Sequence, residues 1–183
     1  MKAIDDADRA RLMGKEVNFY ADALKASEEF RADYATRLRV IKSEEMPWEN
    51  SPDGLIKHII NERMDTAEHC VDAYMQFLKP NEASGKHRHL SEELVFVLEG
   101  EGYDLHWDVK FECLETFEWE WDEEPKRYDW KSGDFVYIPP YCAHQHFAKD
   151  SECRFICITS RIVKAMGFDW HDQLENAASY LAD

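Results

Sequence analysis

Apolar positions change their spacing along this chain, and each change predicts a different element. From residue 5 to about 45, Ala, Leu, Glu, Lys and Arg dominate and no proline occurs before Pro47, which predicts helix. Val17, Tyr20, Ala21 and Leu24 start a stripe at helical spacing, Ser27 and Glu28 interrupt it, and Phe30, Tyr34, Leu38 and Ile41 resume it. Such a stripe is expected to pack on a barrel's outer face or on a second subunit. Ser43 to Gly54 is rich in breakers and reads as a linker. The period then becomes two: Leu55 to Ile60 and Val71 to Leu78 read as strands, and Lys79 to Ser84 as a turn. Phe117, Trp119 and Trp121 alternate with Glu118, Glu120 and Asp122; an Asp-Glu-Glu-Pro turn follows, then Tyr128 and Trp130. This predicts a hairpin with an aromatic face packed inward and an acidic face in water. Arg161 to Asp183 reads as helix again, with a helix end at Gly167.

Histidines fall inside the period-two region. His87 and His89 are two apart, Glu93 follows four residues later, and His144 and His146 repeat the pair. In a strand each pair shares one face. Two such pairs and a carboxylate converging from strands supply nitrogen and oxygen donors for one metal. His146 shares the face of His144, so it is expected in the cavity as an acid–base group or as a hydrogen-bonded neighbour of the ligands. His58, His69, His106 and His171 lack such a pattern and read as structural or exposed. Arg88, between two inward histidines, should point outward into a salt bridge. Val95, Val97, Val136 and Ile138 would give the cavity apolar walls, with Tyr103 and Trp107 as further candidates.

These residues resemble the two cupin motifs. In the first, five residues separate an opening turn from His87-Arg88-His89, three more precede Glu93, and six precede Gly100. In the second, Gly133 is followed by Pro139 and His144. Asn81 and Tyr141 stand where the motifs have glycine, and Ala148 where asparagine is common; none of these is a ligand position in the family. The resemblance implies His87, His89, Glu93 and His144 as the metal ligands. The resemblance implies an all-β, double-stranded β-helix or jelly-roll barrel over residues 51–160. A helical N-terminal extension and linker (1–50) and a C-terminal helical segment (161–183) would flank it. Dimers are common among cupins, so a homodimer or higher homo-oligomer is expected.

Composition narrows the partners. The chain has 183 residues, 44% hydrophobic and 13% aromatic, enough for one packed domain with extensions. Its formal charge of -16 disfavours nucleic acid and anionic membranes as partners. Five cysteines with no Cys-x-x-Cys pair suggest reduced thiols and a cytoplasmic protein, and nothing resembles a signal peptide or membrane span. Cys153 and Cys157 should share a face as small buried groups.

Within the cupins, the run His87-Arg88-His89, the stretch Glu99 to Tyr103, the Gly133-Asp134-Phe135 opening and His144-Gln145-His146 are similar to gentisate-type ring-cleaving dioxygenases. That likeness implies Fe(II) on His87, His89 and His144, with His146 as the acid–base group. Those enzymes carry an arginine near the position of Val95 to hold a substrate carboxylate, and usually lack a glutamate at the place of Glu93. The expected function is a dioxygenase using dioxygen to cleave a small dihydroxylated aromatic or β-dicarbonyl substrate. Mn(II), Ni(II), Cu(II) or Zn(II) would also suit the donors. A metal-dependent lyase, isomerase or decarboxylase, or a non-catalytic cupin that binds a small ligand, remains the alternative.

Overall fold

A computed structural model describes residues 17–66, 70–168 and 170–180; His69 lies outside them. The chain divides into two compact units, Met1–Arg37 and Leu38–Asp183. In the first, the described part is one helix, α1 (Phe19–Thr36), with no buried residue. The helix expected over 5–45 is thus shorter among the described residues. The Thr36 hydroxyl caps the Asp33 carbonyl, Arg37 turns extended, and Leu38 bridges to Thr66 within the second unit. No helix among the described residues is long and apolar enough to cross a membrane.

The second unit is built from antiparallel strands. A six-stranded sheet orders β1 (Trp48–Ser51), β2 (Gly54–Ile60), β3 (Val71–Leu78), β12 (Cys153–Ser160), β5 (Glu93–Glu99) and β10 (Phe135–Ile138). A five-stranded sheet orders β13 (His171–Glu175), β4 (Lys86–His89), β11 (Ala143–Ala148), β6 (Glu101–Trp107) and β9 (Lys126–Lys131). β7 (Val109–Cys113) and β8 (Phe117–Trp121) form a separate ribbon. Both large sheets alternate buried and outward residues, so their inner faces form one core. Leu78, Val95, Val97, Ile138, Cys153, Phe155 and Cys157 come from the first sheet, and Trp130 and Ala148 from the second.

Three expectations are corrected by strand pairing. The linker over 43–54 contains β1, which pairs with β2 across a two-residue turn closed by Gly54 at φ 114°. The hairpin expected from Phe117 to Trp130 does not close on itself. β8 pairs with β7, whereas β9 joins β6 in the large sheet, where the Trp130 indole N–H donates to buried Asp104 at 2.6 Å. Trp119 and Trp121 of β8 pack on Tyr141 rather than into the core, at 5.5 Å and 5.4 Å between ring centroids. Among the described residues the C-terminal helix is α2 (Ile162–Ala165), which Gly167 ends at φ 89°; His171–Glu175 is strand. β13 pairs with β4 and covers its open edge, where Asp172 meets Arg88 at 2.8 Å. Edge hydrogen bonds outweigh local helix propensity there.

Asn81 and Tyr141, the two replacements of motif glycines, keep the left-handed backbone at φ 61° and 62°. Asparagine tolerates this region, but a tyrosine there is strained. Tyr141 is held by its N–H to the His89 carbonyl (2.8 Å), by the Trp121 N–H to its own carbonyl (3.1 Å), and by the surrounding rings.

Candidate metal centre

The pleat of β4 turns His87 and His89 inward, and His144 on β11 pairs directly with His87. Glu93 opens β5 in the facing sheet. Two sheets thus deliver four donors, all buried, whose ligand atoms lie within 4.8 Å of one another. Glu93 Oε2 is 2.8 Å from His89 Nε2 and 3.4 Å from His144 Nε2.

Neighbours orient these rings. The Nδ1–H of His89 donates to the Ser91 carbonyl at 2.8 Å and that of His144 to the Cys142 carbonyl at 3.0 Å, leaving each Nε2 lone pair toward Glu93. His87 Nδ1 lies 3.2 Å from Asp53 Oδ1 without hydrogen-bond alignment, while Gln76 holds Asp53 Oδ2 at 2.9 Å. Burial opposes charge on Glu93, yet the adjoining His144 and His89 rings hold its carboxyl well below the usual range. Burial and the neighbouring His87 push His144 down to about 4, while Glu93 raises His89 against the effect of burial. One carboxylate is therefore shared by imidazoles that cannot all be charged.

The fit to a metal rests on an unmet donor. His144 Nε2 is fully buried with no hydrogen-bond partner. A buried nitrogen lone pair without a partner costs about 1–3 kcal/mol, and coordination would remove that cost. Three neutral imidazoles and a carboxylate suit a divalent ion, and the second contacts just described are of the kind that orient metal ligands.

A cavity of about 300 Å³ opens onto His87, His89 and Glu93. Its apolar wall includes Ile56, Ile60, Ala73, Val163, Phe168 and Trp170. Tyr74 donates to Glu93 Oε1 at 3.5 Å from this side. Val95 and Val97 share the face of Glu93 but belong to the core and not to the cavity wall, and Tyr103 and Trp107 point outward. Arg161 and Lys164 bring cations that sequence reasoning missed, each already facing a carboxylate: Asp72 at 3.2 Å and Glu62 at 3.1 Å. His171, expected to be structural or exposed, is exposed, but its place at the cavity had no sequence signal. It lines the cavity and stacks on His87, with centroids 5.3 Å apart and planes 3° apart. Partial burial, then His87 and His89, lower its pKa. No spacing in the sequence links residue 171 to residue 87; only the β13–β4 pairing does.

His146 does not reach the cavity wall. It is fully buried, with a nitrogen within 4.8 Å of Glu93 and Cys157 ligand atoms. Its Nδ1–H donates to Asp104 Oδ1 at 2.8 Å. Burial would lower its pKa, but Asp104 raises it to about 9. His58 also lines the cavity, bound to Glu49 at 2.6 Å, and His106 is buried beside His144. Arg88 points outward as expected, pairing with Asp172 and lying 4.0 Å over the Trp121 ring. Cys153 and Cys157 are both buried on the same face, also as expected.

Two antiparallel sheets closed around paired histidines and a glutamate define a cupin. The JmjC domain family model matches residues 50–167, and the chain belongs to that family. Solved structures give the same fold. A point mutant of the Bacillus subtilis oxalate decarboxylase is similar at 15% identity and TM-score 0.56, over 73% of this chain and 32% of that one. A second mutant of that enzyme gives 16% identity and 0.53, over 66% and 28%. The formate complex of the Lactobacillus farciminis oxalate decarboxylase gives 18% and 0.50, over 69% and 35%. At these identities the likeness is one of fold, and the chain spans 28–35% of those proteins' length. No curated protein matches it in sequence.

Proposed function

We propose that the chain is a metal-dependent dioxygenase that uses Fe(II) and dioxygen to cleave a C–C bond in a small dihydroxylated aromatic or β-dicarbonyl substrate. The observation that carries this reading is the cavity that opens onto His87, His89 and Glu93 while His144 closes the site from the core side. Coordination positions left open by four protein donors would face that cavity.

His87, His89, His144 and Glu93 would hold the ion. When bound, it would lower the pKa of a substrate hydroxyl and supply the electron chemistry with dioxygen. The apolar wall excludes water and accepts a flat ring or diketone face. Arg161 and Lys164 are matched by Asp72 and Glu62, so the wall favours a substrate whose oxygens are hydroxyl or carbonyl rather than carboxylate. His171, stacked on His87 at the wall, is placed to accept the hydroxyl proton. His146 would serve from behind, keeping Glu93 in place.

The test is turnover of catechols, hydroquinones and β-diketones by Fe(II)-loaded protein under air and under nitrogen. Oxygen uptake matched to substrate loss is expected, falling by about 10²-fold in His171→Gln at full metal content. Turnover that persists under nitrogen would overturn the dioxygenase reading. It would favour cleavage that does not consume dioxygen, by a lyase or a decarboxylase.

A further inference from the structure

A second donor cluster lies beyond His144, whose ring centroid is 6.4 Å from that of His106. The inward positions of β6 run through Asp104 to His106, and Asp108 follows the strand's end. Cys142 directly precedes β11, where Ala143 pairs with Trp107. This register brings a ring nitrogen of His106, a carboxylate oxygen of Asp108 and Cys142 Sγ within 4.8 Å of one another. His106 is 3% exposed and Cys142 1%. A separate groove of about 560 Å³, lined by His106, Asp108, Tyr128 and Pro139 among others, reaches the cluster from outside.

For Cys142 and Asp108 alone, a thiol donating to Asp108 Oδ1 at 3.6 Å accounts for the contact. His106 is held more weakly: its buried Nε2 faces Asp104 Oδ2, 3.5 Å away without hydrogen-bond alignment. That oxygen also lacks a hydrogen-bond partner. Bonds of about 2.3 Å to sulfur and about 2.0–2.2 Å to oxygen at a tetrahedral angle separate the two donors by about 3.5 Å. Cys142 Sγ and Asp108 Oδ1 already stand at that separation.

We propose that His106, Asp108 and Cys142 form a second site, for a divalent transition metal of the zinc type, with a fourth position open to the groove. On binding, the Cys142 thiol gives its proton to solvent and its sulfur forms the metal bond, while His106 and Asp108 contribute lone pairs; no oxidation state changes. Lys126, 2.7 Å from Asp108 Oδ2, occupies the other carboxylate oxygen and leaves Oδ1 toward Cys142. The thiolate separates this site from the nitrogen–oxygen set of His87, His89, Glu93 and His144, because softer ions prefer sulfur.

Co(II) added to metal-stripped full-length protein tests this, read by metal content and by near-ultraviolet thiolate-to-cobalt absorption. Two equivalents per chain are expected. The His87→Ala/His89→Ala double variant should bind one and keep the thiolate band. Cys142→Ser should lose the band and keep the other equivalent. Asp108→Asn, which removes a half-exposed charge, should weaken the thiolate-bearing equivalent by roughly 10-fold or more, and it decides the matter if Cys142→Ser does not fold. A band that survives Cys142→Ser, that vanishes instead in Cys157→Ser beside Glu93, or that keeps its affinity in Asp108→Asn would overturn the proposal. So would the absence of any thiolate band.

Discussion

β4 and β11 carry the same His-any-His spacing and lie side by side in one sheet, yet they use it differently. On β4, an outer strand covered only by β13, both histidines reach the cavity. On β11, between β4 and β6, His144 meets Glu93 and His146 is one pleat deeper in the core, against Phe155 at 5.0 Å between centroids. Their counter-charges differ accordingly. Glu93 is shared among imidazoles whose Nε2 atoms point at it, whereas Asp104 Oδ1 is taken by His146 and Trp130. Strand parity decides which face a side chain takes, and depth along the strand decides whether that face is a site or a core.

The contrast breaks most completely at β4. His87→Ala with His89→Ala removes two of four donors, and stoichiometric metal should fall to background at the first site, measured by metal analysis of folded protein. Retained metal there would mean that the β4 pair is not the ligand pair.

Asp104→Asn should act on stability and leave first-site metal content intact. Breaking a buried pair costs about 3 kcal/mol. The sign follows from both partners. Burial opposes the charge of Asp104, but the charge of His146 holds its pKa far below normal, so its contribution is present above pH ~4 and lost as pH falls further. His146 is raised to about 9, so its contribution is complete below pH ~6.5 and lost as pH rises through about 9. Urea unfolding should therefore show the largest deficit of the variant between pH ~4 and ~6.5, shrinking toward pH ~9. An equal deficit at pH ~5 and ~10 would contradict the ion pair.

Glu93→Gln sharpens the comparison with a smaller effect. If Glu93 is the shared donor, metal affinity should weaken by roughly 10-fold or more, because a neutral amide replaces a charged oxygen. Competition with a chelator of known affinity measures this, and an unchanged affinity would leave three histidines as the whole site.

The strands and the histidine–glutamate quartet were legible because their signals are local: period two for β2 and β3, and fixed spacings for His87, His89, Glu93 and His144. What the sequence hid depends on pairing between distant segments. His171 enters through β13 lying on β4, Asp53 through the β1–β2 turn reaching His87, and Asp104 through β6 lying beside β11. The segment His171 to Glu175 has no strong strand pattern of its own, and the open edge of β4 decides its state. Phe117 to Trp130 misled for the complementary reason. Its alternation was real, but two different partner strands satisfied it.

Tyr141 holds a further consequence. A bulky residue at φ 62° carries about 1–3 kcal/mol of backbone strain, and the rings of Trp119, Trp121 and Trp170 keep it there. Its N–H is tied to the His89 carbonyl, and the chain reaches His144 three residues later. Local opening of this loop, on the timescale that amide exchange reports, would slacken a donor on each of the two strands at once. Through Trp119 and Trp121 the β7–β8 ribbon would then bear, by way of Tyr141, on how long a bound ion stays.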